Sequence, residues 1–151
     1  MENVTETRIS LSDKYHITLS DLHSNEDEDV LHQGLSAFNR AVVGEEHYQP
    51  LNLFVRDDGG AILGGLLAVT YWNWCAVSVI WIHDDLRGKG YGRRLLQLAE
   101  EEAIRRGCRG VMLDTMSFQA LPFYQKLGFT VYGQIEDFVD GHTRYYLTKR
   151  L

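Results

Sequence analysis

The chain carries only two cysteines, Cys75 and Cys108, far apart among its 151 residues. That is too few at too great a separation for a disulfide framework, and the pair reads as reduced, buried thiols. No Cys/His cluster has the spacing of zinc ligands and the six histidines are scattered, so no metal is expected. Long apolar runs are missing as well. The opening "MENVTETRISLSDKY" holds no stretch of signal-peptide length, and no run approaches the roughly 18 apolar residues of a membrane helix. The expectation is a cytoplasmic protein with no membrane partner. Basic charge is also in short supply: 15 Lys+Arg against 21 Asp+Glu give a net charge of −6. A sequence-independent nucleic-acid binder needs a basic face, so no nucleic-acid partner is expected.

What remains is the composition of a soluble globular protein, with 44% hydrophobic and 24% charged residues. The length suits one domain over residues 1–151, large enough for its own core. "YHITLS" (Tyr15–Ser20) alternates weakly and is a candidate first strand. Ser24 is placed to N-cap the helix that follows, with Asp27 in the capping-box position and acidic residues crowding the first turn. Leu51, Leu53 and Val55 alternate up to a "DDGG" turn, and a second strand runs from Ala61 to about Tyr71. Asn73 marks another turn. "CAVSVIWIH" (Cys75–His83) is so continuously apolar that it predicts a strand covered on both faces. Further on, Leu95, Leu98, Ala99, Ala103 and Ile104 recur at helical spacing, with Gly107 where a left-handed cap belongs. "GVMLDT" is a strand, and "SFQALPFYQKLG" (Ser117–Gly128) a short helix in which Pro122 either lies within the first turn or marks a local break. "FTVYGQI" and "TRYYLTKRL" close the chain around a "DGH" turn. The order is β-α-β-β-β-α-β-α-β-β, an α/β fold with a mixed sheet.

The most informative stretch is "LRGKGYGRRLLQLAEEEAIRRG", from Leu86 to Gly107. Strand, glycine-rich turn and helix N-terminus together make an anion site from backbone alone, because the first N–H groups of a helix have no partner within it. Gly88, Gly90 and Gly92 alternate, so successive N–H groups can curl around a phosphate or pyrophosphate without a Cβ in the way. Arg87, Lys89, Arg93 and Arg94 add positive potential. The dinucleotide fingerprint wants Gly-x-Gly-x-x-Gly and the P-loop a Gly-Lys-[Ser/Thr] ending; neither is present. A plain turn with solvated arginines remains the alternative on the glycines alone.

Arg87-x-x-Gly90-x-Gly92 at the start of an amphipathic helix resembles the pyrophosphate-binding signature of the GNAT acetyltransferase superfamily. "FYQKLGF" (Phe123–Phe129) resembles that family's second recurring element, and the strand order is similar over nearly the whole chain. The resemblance implies a GNAT-like mixed central sheet of about seven strands flanked by helices. It also implies acetyl-CoA as co-substrate, lying between the strands Cys75–His83 and Gly110–Thr115. The turn Arg87, Gly88, Lys89, Gly90, Tyr91, Gly92 and Arg93 would grip its diphosphate. The backbone of Ile80, Trp81 and Ile82 would meet the pantetheine arm. Ser117 stands where family members often have asparagine on that arm; its hydroxyl has shorter reach, and it is equally suited to N-cap the helix.

Acetyl transfer to an amine needs a neutral nucleophile, a polarised thioester carbonyl and a proton for the departing thiolate. Tyr124 matches the family tyrosine facing the cofactor sulfur, which makes it the expected general acid. Backbone N–H groups near Trp81–Ile82 suit carbonyl polarisation. The glutamate that many members carry before the glycine turn is missing from "CAVSVIWIH". Ser78, His83, Asp84, Asp85 and a water chain all stay open as base. The acceptor, a small-molecule or peptide amine, is expected between the first helix and its loop (Asn39, Arg40, Glu45–Tyr48) and the turn Thr70–Trp74. That aromatic turn also reads as a subunit contact, which leaves a homodimer open. A non-catalytic acyl-CoA-binding module and another kind of nucleotide-binding protein are the competing functions.

Overall fold

The structure, a computed structural model, describes the backbone of residues 7–10 and the whole of residues 14–151. It divides into two compact units, Met1–Glu45 and Glu46–Leu151.

In the first unit β1 (Thr7–Ser10) and β2 (His16–Leu19) form a two-stranded antiparallel sheet, pairing Thr7 with Leu19 and Ser10 with His16. The alternation at Tyr15–Ser20 anticipated β2; β1 had no counterpart in the sequence reading. α1 (Asn25–Val43) begins at Ser24, whose side chain accepts a hydrogen bond from the Asp27 N–H. The reciprocal capping bond comes from Glu28 rather than the expected Asp27: the Ser24 N–H donates to Glu28 Oε1 at 3.2 Å. The longer side chain reaches back where aspartate would fall short. Glu26, Asp27 and Glu28 fill the first turn, where negative charge complements the helix dipole.

The second unit is a six-stranded mixed sheet in the order β3-β4-β5-β6-β8-β7. Its strands are β3 (Gln49–Arg56), β4 (Ile62–Tyr71), β5 (Trp74–Ile82), β6 (Gly110–Met116), β7 (Thr130–Val139) and β8 (His142–Arg150). Only the central pair β5–β6 is parallel. From β2 onward the element order is the expected one; β2 pairs with β1 outside this sheet, so the central sheet has six strands where about seven were expected.

Turn chemistry sets the hairpins. Trp72 and Asn73 sit at φ 43° and 60°, a two-residue loop of left-handed residues whose twist matches the strands it joins. α2 (Tyr91–Arg105) buries Leu95, Leu96, Ala99 and Ala103. The sequence pattern named Ile104 for that face, but Ile104 is 58% exposed and Leu96 takes the place in the core. Leu96, Ala99 and Ala103 meet Leu66, Cys75, Val111 and Leu147 from the sheet, all at most 1% exposed. Each of the leucines and the valine stabilises the fold by about 1.5–3 kcal/mol. Gly107, at φ 78°, ends the helix in a Schellman motif: its N–H donates to the Ile104 carbonyl and that of Cys108 to Ala103.

α3 is shorter than anticipated, Leu121–Lys126, with Ala120 as N-cap and Pro122 in the first turn. Pro122 cannot continue a helix that began at Ser117, so the segment before it is a turn. Gly128 (φ 92°) and Phe129 close α3 in the same Schellman geometry, donating to the carbonyls of Gln125 and Tyr124. The rings of Tyr124 and Phe129 make the accompanying apolar contact at 6.0 Å.

Candidate active site

Between β5 and α2 the chain turns through residues Asp84–Leu86 and then Gly88 and Gly90, at φ 71° and 89°. A Cβ at either glycine would meet nothing within 4 Å, so conformation rather than crowding demands glycine there. Gly92 differs: it lies inside α2, and a Cβ there would stand 3.4 Å from Phe123 Cζ, so it lets α2 approach α3. Gly90 is the N-cap, and the first intrahelical bond runs from the Arg94 N–H to its carbonyl at 3.0 Å. The N–H groups of Tyr91, Gly92 and Arg93 are therefore the unpaired donors of the first turn. Among the described residues those of Gly88, Lys89 and Gly90 donate to no backbone carbonyl either. Arg87 braces the turn, its Nε donating to the Ile82 carbonyl at 3.1 Å and its guanidinium 2.8 Å from Asp84. Arg94 is drawn off to Glu101 at 3.3 Å.

β5 and β6 pair only at Cys75–Val111 and Ala76–Met112 and then part. A register shift against β4 makes Ser78 the extra residue of a bulge, and its hydroxyl donates to the Leu67 carbonyl at 3.2 Å. The bulge changes which side chains face the core. Cys75 and Val77 point inward, whereas Val79 and Trp81 are 46% and 47% exposed. The expected two-sided burial of this strand is thus wrong for its outer half.

The parting strands and the glycine turn enclose one cleft of about 950 Å³. Tyr124 lies in its wall at 8% exposure, edge-on to Phe123 and Phe129. Burial, and then the charge of Asp114, raise its phenol above the ordinary 10.0, so it stays protonated at neutral pH. Asp114, at the outer end of β6, lines the same cleft and accepts a hydrogen bond from Arg144 Nε at 2.8 Å. Cationic donors at one end, unpaired strand edges along the length and a protonated phenol in the wall make a site for an extended anionic ligand with a reactive end.

The family profile of the "Acetyltransferase (GNAT) family" matches residues 13–129. The chain belongs to that family. It is 36% identical over 135 residues to Acetyltransferase Atu2258 of Agrobacterium fabrum, covering 89% of this chain and 98% of that one. Blasticidin-S acetyltransferase of Streptomyces morookaense is 35% identical over 121 residues, covering 78% of this chain and 88% of the relative. The crystal structure of a Bacillus cereus acetyltransferase superposes with a TM-score of 0.81 at 29% identity, covering 91% of this chain and 99% of that one. The protein is accordingly an enzyme of the acetyltransferase class, and its family uses acetyl-CoA as acyl donor.

The GNAT cleft brings together most residues singled out from sequence: Ile80, Trp81, Ile82, Arg87, Gly88, Gly90, Tyr91, Gly92, Arg93 and Tyr124. Lys89 belongs to the turn without lining the cleft. Ser117 does not line it and does not cap α3. Its hydroxyl instead accepts from the Thr143 N–H at 3.3 Å and lies 3.1 Å from His142 Nδ1, tying the turn to β8. Sequence reasoning missed Leu86, Met116, Phe118, Gln119 and Phe123 as lining residues. Gln119 holds the turn after β6, its Oε1 accepting from the Met116 N–H at 2.8 Å and the Thr115 hydroxyl at 3.3 Å. No local pattern flags such a residue; its partners are the only sign. Among the described residues no group of His, Cys, Asp and Glu has metal-site geometry, and no helix is long and apolar enough to cross a membrane.

The residues present fit the family's donor. Six successive N–H groups without backbone acceptors, Gly88 to Arg93, suit a diphosphate, and Arg93 and Lys89 pair with no acidic side chain among the described residues. The open edges of β5 and β6 suit the amides of a pantetheine arm, as they would an added strand.

Proposed function

We propose that this chain is an acetyl-CoA-dependent N-acetyltransferase that moves acetyl to a primary amine by direct attack, with Tyr124 as general acid. One observation carries the reading: a single cleft runs from the unpaired donors of Gly88–Arg93, along the parted strands, to the buried phenol of Tyr124. The donor supplies an activated thioester; the chain holds and orients it. Arg87 keeps the turn against the end of β5 through the Ile82 carbonyl. Main-chain N–H groups near Trp81–Ile82 polarise the carbonyl oxygen. Tyr124 Oη gives its proton to the departing sulfur, and the raised pKa keeps that proton in place until sulfur becomes anionic. The family profile spans both compact units, which supports one working domain. The blasticidin-S acetyltransferase relative supports a small-molecule acceptor. A cytoplasmic location belongs to the same reading.

Steady-state kinetics across a panel of amines, with Tyr124→Phe as control, tests the proposal. The variant loses about 100-fold or more in kcat, while acetyl-CoA affinity by calorimetry stays near that of the parent. The alkaline fall in kcat that Tyr124 ionisation causes in the parent disappears from the variant. Equal loss of turnover and affinity would reduce Tyr124 to a packing residue.

A further inference from the structure

Among the described residues lining the cleft, Asp114 is the one carboxylate, whereas Arg87 and Arg93 stand at the glycine turn. The cleft is therefore electrostatically two-ended. Asp114 does not hang free on the surface: Arg144 Nε holds its Oδ2 at 2.8 Å, and the Arg144 guanidinium lies over the rings of Phe138 and Tyr146 at 4.9 and 5.3 Å. Such bracing fixes the carboxylate and leaves Oδ1 without a hydrogen-bond partner among the described residues. Trp81, half exposed and lining the same cleft, adds an aromatic face of the kind that attracts cations. Asp114 and Tyr124 line the same cleft.

We infer that Asp114 is a specificity-determining residue that binds a protonated group of the acceptor, and that the acceptor carries this cation in addition to the amine it presents for acetylation. The inference deepens the amine-acetylation reading and rests on it. Its logic is protonic. A carboxylate recognises the charged form of an amine, but the nitrogen that attacks a thioester must be neutral, with its lone pair free. We assign Asp114, already bridged to Arg144, to charge pairing and not to proton removal, so the cation it holds is a group other than the attacking nitrogen, as in a diamine or a guanidine-bearing amine. The attacking nitrogen then forms the new C–N bond as the C–S bond breaks. Tyr124 supplies the proton to sulfur, the proton shed by nitrogen passes to water at the open mouth of the cleft, and water returns one to the phenolate, so the held cation never changes state.

Putrescine and n-butylamine, equal in length and differing in one ammonium group, test this with acetyl-CoA saturating. The parent enzyme is expected to favour putrescine by about tenfold or more in kcat/KM. Asp114→Asn should bring the ratio close to one, chiefly through the putrescine KM. A parental ratio near one, or equal loss of both substrates in the variant, overturns the assignment. Should the variant fail to fold, n-butyltrimethylammonium decides it in the parent. Competitive inhibition against the acceptor supports a cation site, and none at concentrations well above the putrescine KM refutes it. A parent that binds acetyl-CoA yet acetylates no amine of the wider panel refutes the amine-transfer reading and this inference with it, whereas one that turns over only amines lacking a second cation refutes this inference alone.

Discussion

Gly90 holds φ 89° at the N-cap of α2 with open space on its Cβ side. A substitution there separates conformation from charge. Gly90→Asp places a carboxylate among the N–H groups of Gly88–Arg93. A like charge facing the donor's diphosphate costs several kcal/mol, so acetyl-CoA affinity should fall by more than about 100-fold in calorimetry. Gly90→Asn strains the backbone comparably without the charge, and a variant pair that loses affinity equally would point to strain alone. This glycine was readable from sequence because its requirement is local. Ser117 was not: its partners, Thr143 and His142, come from a strand formed far along the chain. The partner of Asp114 was not readable either, since Arg144 lies 30 residues on in another strand.

Elements show the same division. The hairpins and both Schellman caps followed from glycine, asparagine and aspartate at turn positions, where the backbone itself selects the residue. The buried face of α2 was partly misread, since Leu96 and Ile104 are equally apolar and only the sheet beneath decides between them. The end of that helix is tied by Arg106, a side chain 14% exposed. It donates to the carbonyls of Gln49 and Pro50 at 3.3 and 3.0 Å and to the Thr70 hydroxyl at 3.1 Å, joining α2 to β3 and β4. Glu102 holds it from below at 2.6 Å; hydrogen bonds from Arg105 and then Arg106 pull that carboxyl down to about 2. Arg106→Ala removes three hydrogen bonds, leaving the Gln49 carbonyl only the Thr70 hydroxyl as donor from a side chain, and should cost about 1–3 kcal/mol in urea unfolding, with donor affinity little changed.

At the scale of the molecule, the buried thiol of Cys75 couples stability to pH. Burial, with smaller help from Cys108, pushes it from an ordinary 9.0 up to about 11. The unfolded chain therefore loses this proton first. The contribution is complete below pH 9 and disappears as pH climbs toward about 11. Denaturation midpoints across that interval should fall in the parent and fall less steeply in Cys75→Ala. The fold class was legible throughout because it depends on the succession of strands and helices, which hydrophobic patterning records. The cleft was legible at its glycine end and, through the family resemblance, at Ile80–Ile82 and Tyr124, but not at Met116, Phe118 and Gln119. Its far wall depends on where β5 and β6 separate, and separation leaves no mark in composition.

That separation begins beside a single surplus residue. With Ser78 looped out of step against β4, every side chain after it trades sides: Ile80 and Ile82 turn toward the interior, Val79 and Trp81 toward the opening. The count of residues here thus matters more than their kind. Swapping the serine for another small residue should be absorbed, whereas excising it would make Val77–Ala68 and Val79–Leu67 successive rungs of a regular ladder, keeping every side chain on its present face but removing the bend that steers the strand away from its neighbour.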